Sequence, residues 1–380
     1  MTRMTAAAAP TTSRRLLSLD VLRGLTVIGM ILVNAAAGLH YGDGIAVYPL
    51  LLHAQWAGLT LADLVFPAFL MIVGVSIPLA KAQSAEGRAA PLPLAPILWR
   101  VARLFLLGLL LSNLFWIQNP EGMTWRFWGV LQRIGLVYGA CAILFQLTGP
   151  KVRLGLILAI LALYWPLSLM PSLDGLATDI WQPGHNFGAS LDRLLLGDHN
   201  YVKGPAGYDP EGLFGTLPAV AHGLIGVMIG EFLSRRQGSS AAGRLAVAGA
   251  VMLAVGLAWG LVFPIVKDIW SSSFVLATCG LTALALAGLH ALLDGKVVHG
   301  RIAAFAIGIP AAFGVNAIAA YVLHALAGPM VGWRPLFAPF EMARPVIGEP
   351  AAALIPITLF IAFIWLCMAY LRRRNWIIRV

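Results

Sequence analysis

The chain has few cysteines and few charged residues for its length of 380. Cys141, Cys279 and Cys367 lie far apart and form no C-x-x-C pair. This argues against a disulfide framework and against a cysteine-based zinc site, and no metal is expected. The sequence also lacks a P-loop and a GxGxxG fingerprint following a strand. These two absences disfavour ATP-driven transport.

Most of the chain consists of apolar residues. Only 11% of residues are charged, whereas 59% are hydrophobic and the mean hydropathy is +0.84. A soluble domain of this size would not have such a composition. The sequence predicts an all-α, polytopic integral membrane helix bundle with about ten spanning helices. Their centres are predicted at about residues 30, 70, 107, 138, 161, 223, 254, 282, 314 and 361.

The basic residues alternate between successive loops, as expected for a multi-pass inner-membrane protein. One set of loops contains Arg14, Arg15, Lys81, Arg88, Arg100, Arg103, Lys151, Arg153, Arg235, Arg236, Arg244, Lys296, Arg301, Arg372, Arg373 and Arg374. This set predicts that both termini are cytoplasmic. The net charge of +10 is thus a topology signal, and nucleic acid is not an expected partner.

The predicted organisation is a single membrane domain between two short tails. Residues 1–15 are expected to form a disordered cytoplasmic tail and residues 375–380 a cytoplasmic C-terminal tail. Residues 16–374 form the spanning domain, and its longest periplasmic loop covers about residues 172–212.

His53 precedes an apolar segment that contains Asp63, and ionisable residues at a membrane usually mark a functional site. Asp63 has two possible partners. It could form a structural ion pair with Arg133 across helices, or it could accept the ring N–H of His53 and leave the other ring nitrogen as a base. In one continuous helix the two groups would lie about 15 Å apart. The His53 pairing therefore requires a loop folded back over the second helix, broken near Gly58 and capped by Thr60.

Further polar residues lie within the predicted spans, mostly toward the outer side. Each of these side chains could simply form a hydrogen bond between helices, but their clustering at one depth of the membrane favours a functional site. These residues are Asn34, Gln132, Arg133, His222, Asn316 and His324, with Asn316 and His324 both placed in the outer half of the ninth span.

A series of short motifs runs through most of the chain in one order. It comprises Leu19-Asp20-Val21-Leu22-Arg23-Gly24, Val33-Asn34, His53-Ala54-Gln55-Trp56, Gly58-Leu59-Thr60, Ala62-Asp63-Leu64-Val65-Phe66-Pro67, Gly129-Val130-Leu131-Gln132-Arg133-Ile134-Gly135, Tyr208-Asp209-Pro210-Glu211-Gly212, Lys267 with Trp270-Ser271, and Gly314-Val315-Asn316-Ala317. With this series the chain resembles the heparan-α-glucosaminide N-acetyltransferase family of transmembrane acyltransferases, through its bacterial members.

The resemblance implies an enzyme that transfers an acetyl group from cytoplasmic acetyl-CoA to the amine of a glucosamine-type sugar on the far side. It aligns His53 with the family histidine and Asn34 with the neighbouring asparagine. His53 would act as the base or as an acetyl-carrying nucleophile, Asn34 would donate to the developing oxyanion, and Asp63 would orient His53. The resemblance also implies a homodimer.

Residues for the two substrates follow from their chemistry. Arg23, Lys81, Arg100 and Arg103 are candidates for the CoA phosphates, although the positive-inside rule alone also explains them, and Arg23 could simply pair with Asp20. Asp209 and Glu211 could bind the sugar, or could belong to a proline turn before a helix. Trp56 could stack on the sugar ring, and Asn316 and His324 could line the acceptor pocket.

Two other classes of function are alternatives to acyl transfer. A secondary transporter of amino sugars such as N-acetylglucosamine would also have many spans with polar groups, but we find no inverted repeat with matching broken helices. A purely structural protein would leave the clustered polar residues unexplained.

Overall fold

The structure is a computed structural model that describes residues 16–84, 93–235, 239–294, 300–328 and 334–378. The predicted tail at 1–15 and the last two residues of the predicted tail at 375–380 lie outside these ranges. The described residues form helices and loops, as the sequence predicts. The helices are α1 (Leu17–Ala37), α2 (Leu61–Ser84), α3 (Leu94–Ser112), α4 (Leu114–Gln118), α5 (Val130–Leu147), α6 (Pro150–Ser168), α7 (Phe187–Leu196), α8 (Thr216–Arg235), α9 (Ser239–Trp259), α10 (Ser272–Leu293), α11 (Arg301–Val315), α12 (Ala317–Ala327), α13 (Arg334–Ile347) and α14 (Glu349–Arg373).

Within the described ranges, nine helices are long and apolar enough to cross a membrane. The chain is therefore a multi-pass membrane protein, and nine of the ten predicted spans are continuous helices. The tenth, predicted near residue 314, is not a straight span. It consists of α11 and α12, which meet at an angle of 83°.

The bend lies at Asn316, whose backbone leaves the helical region at φ −119° and ψ 42°. Its side chain binds the backbone of the C-terminal segment: Nδ2 donates to the carbonyl of Trp376 at 3.0 Å, and Oδ1 accepts the N–H of Ile378 at 2.9 Å. The described part of the predicted C-terminal tail is thus folded against the bundle. Tertiary hydrogen bonds of this kind leave no periodic signal in the sequence.

Two ends of the bundle can be distinguished by their contacts. At the Leu17 end, the start of α1 and the end of α14 line a cavity of about 300 Å³ together with Val315. Ser18 also has a hydrogen-bond partner here, because its backbone N–H donates to the Asp294 carboxylate at 3.2 Å. Asn316 belongs to this end, about 12 Å along α12 from His324, with which the sequence predicts that it shares one level of the membrane.

At the opposite end, the His53 end, the loops after α1, α6 and α9 meet. Ala57 forms an isolated antiparallel bridge with Val266, and the indole N–H of Trp56 donates to the carbonyl of Ile180 at 3.0 Å. A second apolar core stabilises this meeting point. Its buried members are Trp56, Tyr164, Ile180, Ala189, Tyr208, Phe263, Val266 and Ile269.

Close packing of α2 against α8 fixes the helix that begins at the His53 end. A Cβ atom at Gly226 would lie 2.3 Å from the carbonyl oxygen of Met71, and one at Gly74 would lie 2.1 Å from that of Gly223. The two backbones therefore touch where neither helix has a side chain, as in small-residue packing between membrane helices.

Candidate active site

The loop that contains His53 folds back over the start of α2. The helix begins only at Leu61, and Asp63 in its first turn reaches back to accept the backbone N–H of Thr60 at 3.1 Å. This is half of a capping box, with Thr60 as the N-cap residue. Gly58 has φ +142°, a region that favours glycine, and its N–H donates to the carbonyl of Ile265. The predicted break and cap are both present.

His53 and Asp63 form the central pair of the candidate site. Nδ1 of His53 donates to Oδ1 of Asp63 at 2.8 Å, and the backbone N–H of Ala54 donates to Oδ2 at 3.1 Å. The Asp63 side chain is 1% exposed, whereas that of His53 is 44% exposed. A carboxylate that accepts Nδ1–H fixes the tautomer and leaves the Nε2 lone pair available to a reactant.

Arg133 has a different environment from the one that the ion-pair alternative requires. Its Nη2 donates to the carbonyl of Gly212 at 3.1 Å, and its guanidinium carbon lies 5.0 Å from the ring centroid of Trp270. Asp63 is bonded to the His53 loop instead. The pairing of Asp63 with His53 is therefore the one that the structure contains.

Lys267 is a neighbour of His53 for which no role is predicted from the sequence. Its Nζ lies 3.4 Å from Nε2 of His53, the nitrogen opposite the one bound by Asp63. The bridge between Ala57 and Val266 brings the two loops together. The available signal was the position of Lys267 in the motif series, but a loop lysine has no spacing that points to a distant histidine.

Asp209 and Glu211 are directed inward, although the sequence suggested that they bind the acceptor. Arg126 donates to Asp209 through Nε at 3.0 Å and Nη2 at 2.7 Å, and Nη2 also donates to Glu211 at 2.5 Å. Both carboxylates are buried. Since buried charges require partners, these three residues form an internal ion-pair cluster that connects the loops at the His53 end. The sugar-binding prediction for the two acids is not supported by their geometry.

The charges in this cluster perturb one another. Burial opposes the ionisation of Arg126, but the carboxylates of Glu211 and Asp209 outweigh it and raise its pKa. Burial likewise opposes the ionisation of Glu211, yet Arg126, Lys267 and Arg133 lower its pKa. Lys267 therefore lies within electrostatic reach of the cluster as well as beside His53.

Asp192 is a further buried carboxylate near this cluster, and the sequence did not single it out. It lies in α7, is buried, and accepts the backbone N–H of Asp209 through Oδ2 at 3.3 Å. Its Oδ1 has no hydrogen-bond partner among the described residues. Burial raises the pKa of Asp192 to about 7, and the nearby Asp209 carboxylate adds to the shift.

Trp56 and Asn34 also have internal partners. Trp56 is buried, packs edge-on against Tyr208 and donates its indole N–H to Ile180, so the predicted stacking on a sugar is wrong for this conformation. Asn34 donates through Nδ2 to Nε2 of His324 at 3.0 Å, while Nδ1 of His324 donates to the carbonyl of Tyr321. The structure thus pairs Asn34 with His324 across α1 and α12.

The basic residues predicted to hold the CoA phosphates differ in the partners that they contact within the protein. Arg23 donates to Asp20 at 3.2 Å and to the Ser76 hydroxyl at 2.9 Å, as the internal pairing predicts. Arg100 lies over the ring of Tyr138, and its buried Nε has no partner among the described residues. Arg103 is exposed one turn further along α3. The side chain of Lys81 lies outside the described residues.

No group of three or more His, Cys, Asp or Glu side chains that could hold a metal ion occurs in the described parts of the chain. What the geometry presents is a histidine–carboxylate pair, flanked by a lysine, in the loops at one end of an apolar helix bundle. These features define a multi-pass membrane protein with a candidate acid–base site at one mouth of the bundle.

Comparison with known proteins identifies the family. The family model described as heparan-alpha-glucosaminide N-acetyltransferase, catalytic, matches residues 15–257, and the chain belongs to this family. The heparan-alpha-glucosaminide N-acetyltransferase of Mus musculus is 28% identical over 368 residues, covering 82% of this chain and 53% of the mouse protein. That of Homo sapiens is 28% identical over 365 residues, covering 82% and 52%. The chain thus spans about half the length of these relatives.

Proposed function

We propose that the chain is a transmembrane acetyltransferase that moves an acetyl group from acetyl-CoA to the amine of a glucosamine-type sugar. The observation that carries the proposal is the bond from Nδ1 of His53 to the buried carboxylate of Asp63. Transfer to an amine needs a group that accepts the amine proton, and an oriented neutral imidazole is such a group. The names of the related mouse and human proteins support transfer of an acetyl group to a glucosamine-type nitrogen.

The reaction needs one bond made and one broken. The amine nitrogen attacks the thioester carbonyl, the carbon–sulfur bond breaks, and the sulfur leaves as a thiolate. His53 takes a proton from the amine at Nε2 and can return it to the thiolate. In the alternative route Nε2 itself attacks first, giving an acetyl-imidazole that the amine then cleaves. In both routes Asp63 stabilises the imidazolium or acyl-imidazolium charge.

For the donor, we propose that Arg100 and Arg103 bind the phosphates of CoA. The buried, unpartnered Nε of Arg100 and the exposed position of Arg103 leave N–H donors for an anion, whereas the Arg23 guanidinium already binds Asp20 and Ser76. Both arginines belong to the basic set that predicts a cytoplasmic face. His53 would then lie on the far, periplasmic side, and the acetyl group would cross the bundle between the two.

The test is acetyl transfer by the purified full-length chain in detergent, with acetyl-CoA and glucosamine as substrates. Free CoA and N-acetylglucosamine are measured for the native protein and for His53→Ala. We expect equal amounts of both products from the native protein and a loss of about 10³-fold or more in the variant. An absence of transfer by the native protein, with a sharp thermal transition and a single gel-filtration peak, would refute the proposal.

Transport of amino sugars is the second candidate, because the bend of 83° between α11 and α12 resembles the discontinuous helices of secondary carriers. Its test is uptake of radiolabelled glucosamine and N-acetylglucosamine into proteoliposomes. Concentrative uptake without acetylation would favour the carrier, whereas acetylation without net uptake would favour the transferase.

A further inference from the structure

Lys267 places a primary amine where a substrate amine is expected. An acceptor must bring its nitrogen within reach of Nε2 of His53, since that nitrogen takes its proton. Nζ of Lys267 lies 3.4 Å from this atom, within hydrogen-bonding distance and slightly longer than the roughly 2.6–3.2 Å that separates a base from the group whose proton it abstracts. The lysine therefore reproduces the contact that the proposed sugar amine would make.

The main chain holds Lys267 firmly in this position. Its neighbour Val266 is fully buried, pairs with Ala57 and donates its N–H to Oγ of Ser271 at 3.1 Å. The carbonyl of Lys267 accepts the N–H of Trp270, which adopts φ +53°. A non-glycine residue in this region marks a turn imposed by its surroundings. The lysine thus extends from a fixed turn.

Among the described residues, the side-chain amine of Lys267 contacts an imidazole nitrogen and not a carboxylate. Glu211, whose pKa is lowered in part by Lys267, already accepts from Arg126, and within the described residues Lys267 forms no ion pair. The group within hydrogen-bonding distance of Nζ is an imidazole nitrogen that can remove its proton. A lysine whose role was only to balance charge would be expected to contact the carboxylate.

We propose that Lys267 is an internal acetyl acceptor, so that the protein acetylates its own lysine when an acyl thioester is bound and no sugar amine is present. This inference rests on the proposed acetyltransferase function. His53 removes one proton from the ammonium and releases it to solvent. The neutral amine attacks the thioester carbonyl, a nitrogen–carbon bond forms, and the carbon–sulfur bond breaks. The second proton passes through His53 to the departing thiolate, leaving acetyl-lysine and free thiol.

The modification has a consequence for the site. An acetamide on Lys267 carries no positive charge and would occupy the space beside Nε2, where the sugar amine must bind. Self-acetylation would therefore switch the enzyme off when donor is plentiful and acceptor scarce. A bound sugar would displace the lysine and protect the enzyme.

The experiment incubates the full-length protein with acetyl-CoA alone and measures acetylation at each lysine by peptide mass spectrometry. Lys203 and Lys151 are internal controls, because both are exposed and Nζ of Lys203 contacts the Thr124 hydroxyl instead. We expect acetylation of Lys267 to exceed that of both controls by on the order of a hundredfold, as for an intramolecular reaction. The excess should vanish in His53→Gln and decrease when glucosamine is present.

Parallel measurement of N-acetylglucosamine separates this inference from the proposed function. Sugar acetylation without selective labelling of Lys267 would overturn the internal acceptor alone. Selective labelling without sugar acetylation would support it and overturn the sugar as acceptor. If neither product forms, both the proposed function and the internal acceptor are overturned. If Lys267 is labelled equally in His53→Gln and in the native protein, the role of His53 in the self-acetylation is overturned. Lys267→Arg, which keeps the charge but cannot be acetylated in this way, should resist the inactivation that acetyl-CoA causes in the native protein.

Discussion

Asp63 is the residue whose replacement most directly tests how His53 is oriented. Asp63→Asn keeps the size of the side chain, but its amide can present N–H to Nδ1 and so favour the wrong tautomer. We expect kcat to fall by about 10²- to 10⁴-fold, with a much smaller change in KM. The measurement is steady-state acetylation of glucosamine, with thermal stability followed in parallel. Native-like kcat in a folded variant would contradict the assigned role.

Asp192 provides a pH-dependent test that is independent of catalysis. Because its pKa is raised to about 7, the folded protein holds a proton that the unfolded chain releases near pH 4. The stabilisation from this retained proton is complete at low pH. The free energy of unfolding falls by about 1.4 kcal/mol per pH unit as the pH rises from about 4 to about 7. Above pH 7 it is constant. Asp192→Asn should therefore match the native thermal stability near pH 4 and exceed it at pH 8.

The measurement is a series of thermal unfolding curves in one detergent at pH values from about 4 to about 8, the window between the unfolded and folded pKa values of Asp192 and just above it. Asp174→Asn is the control: it removes a loop carboxylate whose bond to Arg193 lowers its pKa, so the opposite sign is expected. In that variant stability should be lower than that of the native protein by a constant amount between pH 5 and pH 8, and the difference should shrink only as the pH falls below about 4, because the lowered pKa of Asp174 lies below its unfolded value. If Asp192→Asn had the same effect at every pH, a neutral buried Asp192 would be excluded.

At the scale of single residues, the sequence predicted the histidine loop better than its surroundings. A continuous helix would separate His53 from Asp63 by about 15 Å, so their pairing requires the folded-back loop, and Gly58 and Thr60 indicate the break because they are local signals. The role of Arg126 could not be predicted in this way. Its carboxylate partners lie 83 and 85 positions further along the chain, and a basic residue in a loop has no local feature that identifies them.

Helix packing is the determinant of stability at the scale of the elements. Gly226→Ala would place a methyl group 2.3 Å from the backbone oxygen of Met71, and backbone cannot move aside as a side chain can. α2 would have to shift, at a cost of about 1–3 kcal/mol, and the first turn of α2 carries Asp63. We expect a lower unfolding temperature together with reduced acetylation activity.

The matched control is Gly288→Ala in α10, where an added methyl group meets no atom within 4 Å. Replacing a helical glycine by alanine in such open space should leave stability unchanged or raise it slightly. Equal losses of stability in the two variants would show that the α2–α8 contact is not specifically close.

The sequence predicts the continuous spanning helices well but does not predict the bend between α11 and α12. Apolar runs of about 20 residues identify spanning helices from composition alone. The sequence from Arg301 to Ala327 is apolar as well, so it was interpreted as one span. Its break depends on Asn316 binding Trp376 and Ile378, and this contact joins residues 60 and 62 positions apart.

For the whole molecule, the main question is which side of the membrane each end faces. The charged cluster, the His53 pair and Lys267 all lie in loops at one end, whereas the Leu17 end joins the start of α1 to the basic end of α14. If the Leu17 end is cytoplasmic, donor and acceptor approach from opposite sides. If both substrates approached His53 from one side, no acetyl group would need to cross the bundle.

Cysteine labelling distinguishes these arrangements. The native cysteines are first replaced by serine or alanine, and single cysteines are introduced at Leu173, exposed in the loop after α6, and at Ser234, exposed near the end of α8. A membrane-impermeant maleimide should label the Leu173→Cys variant in intact cells and the Ser234→Cys variant only after permeabilisation. The reverse pattern would place His53 on the cytoplasmic side and reduce the reaction to transfer between two cytoplasmic substrates. Because the basic residues concentrate at the Leu17 end, we expect the first pattern.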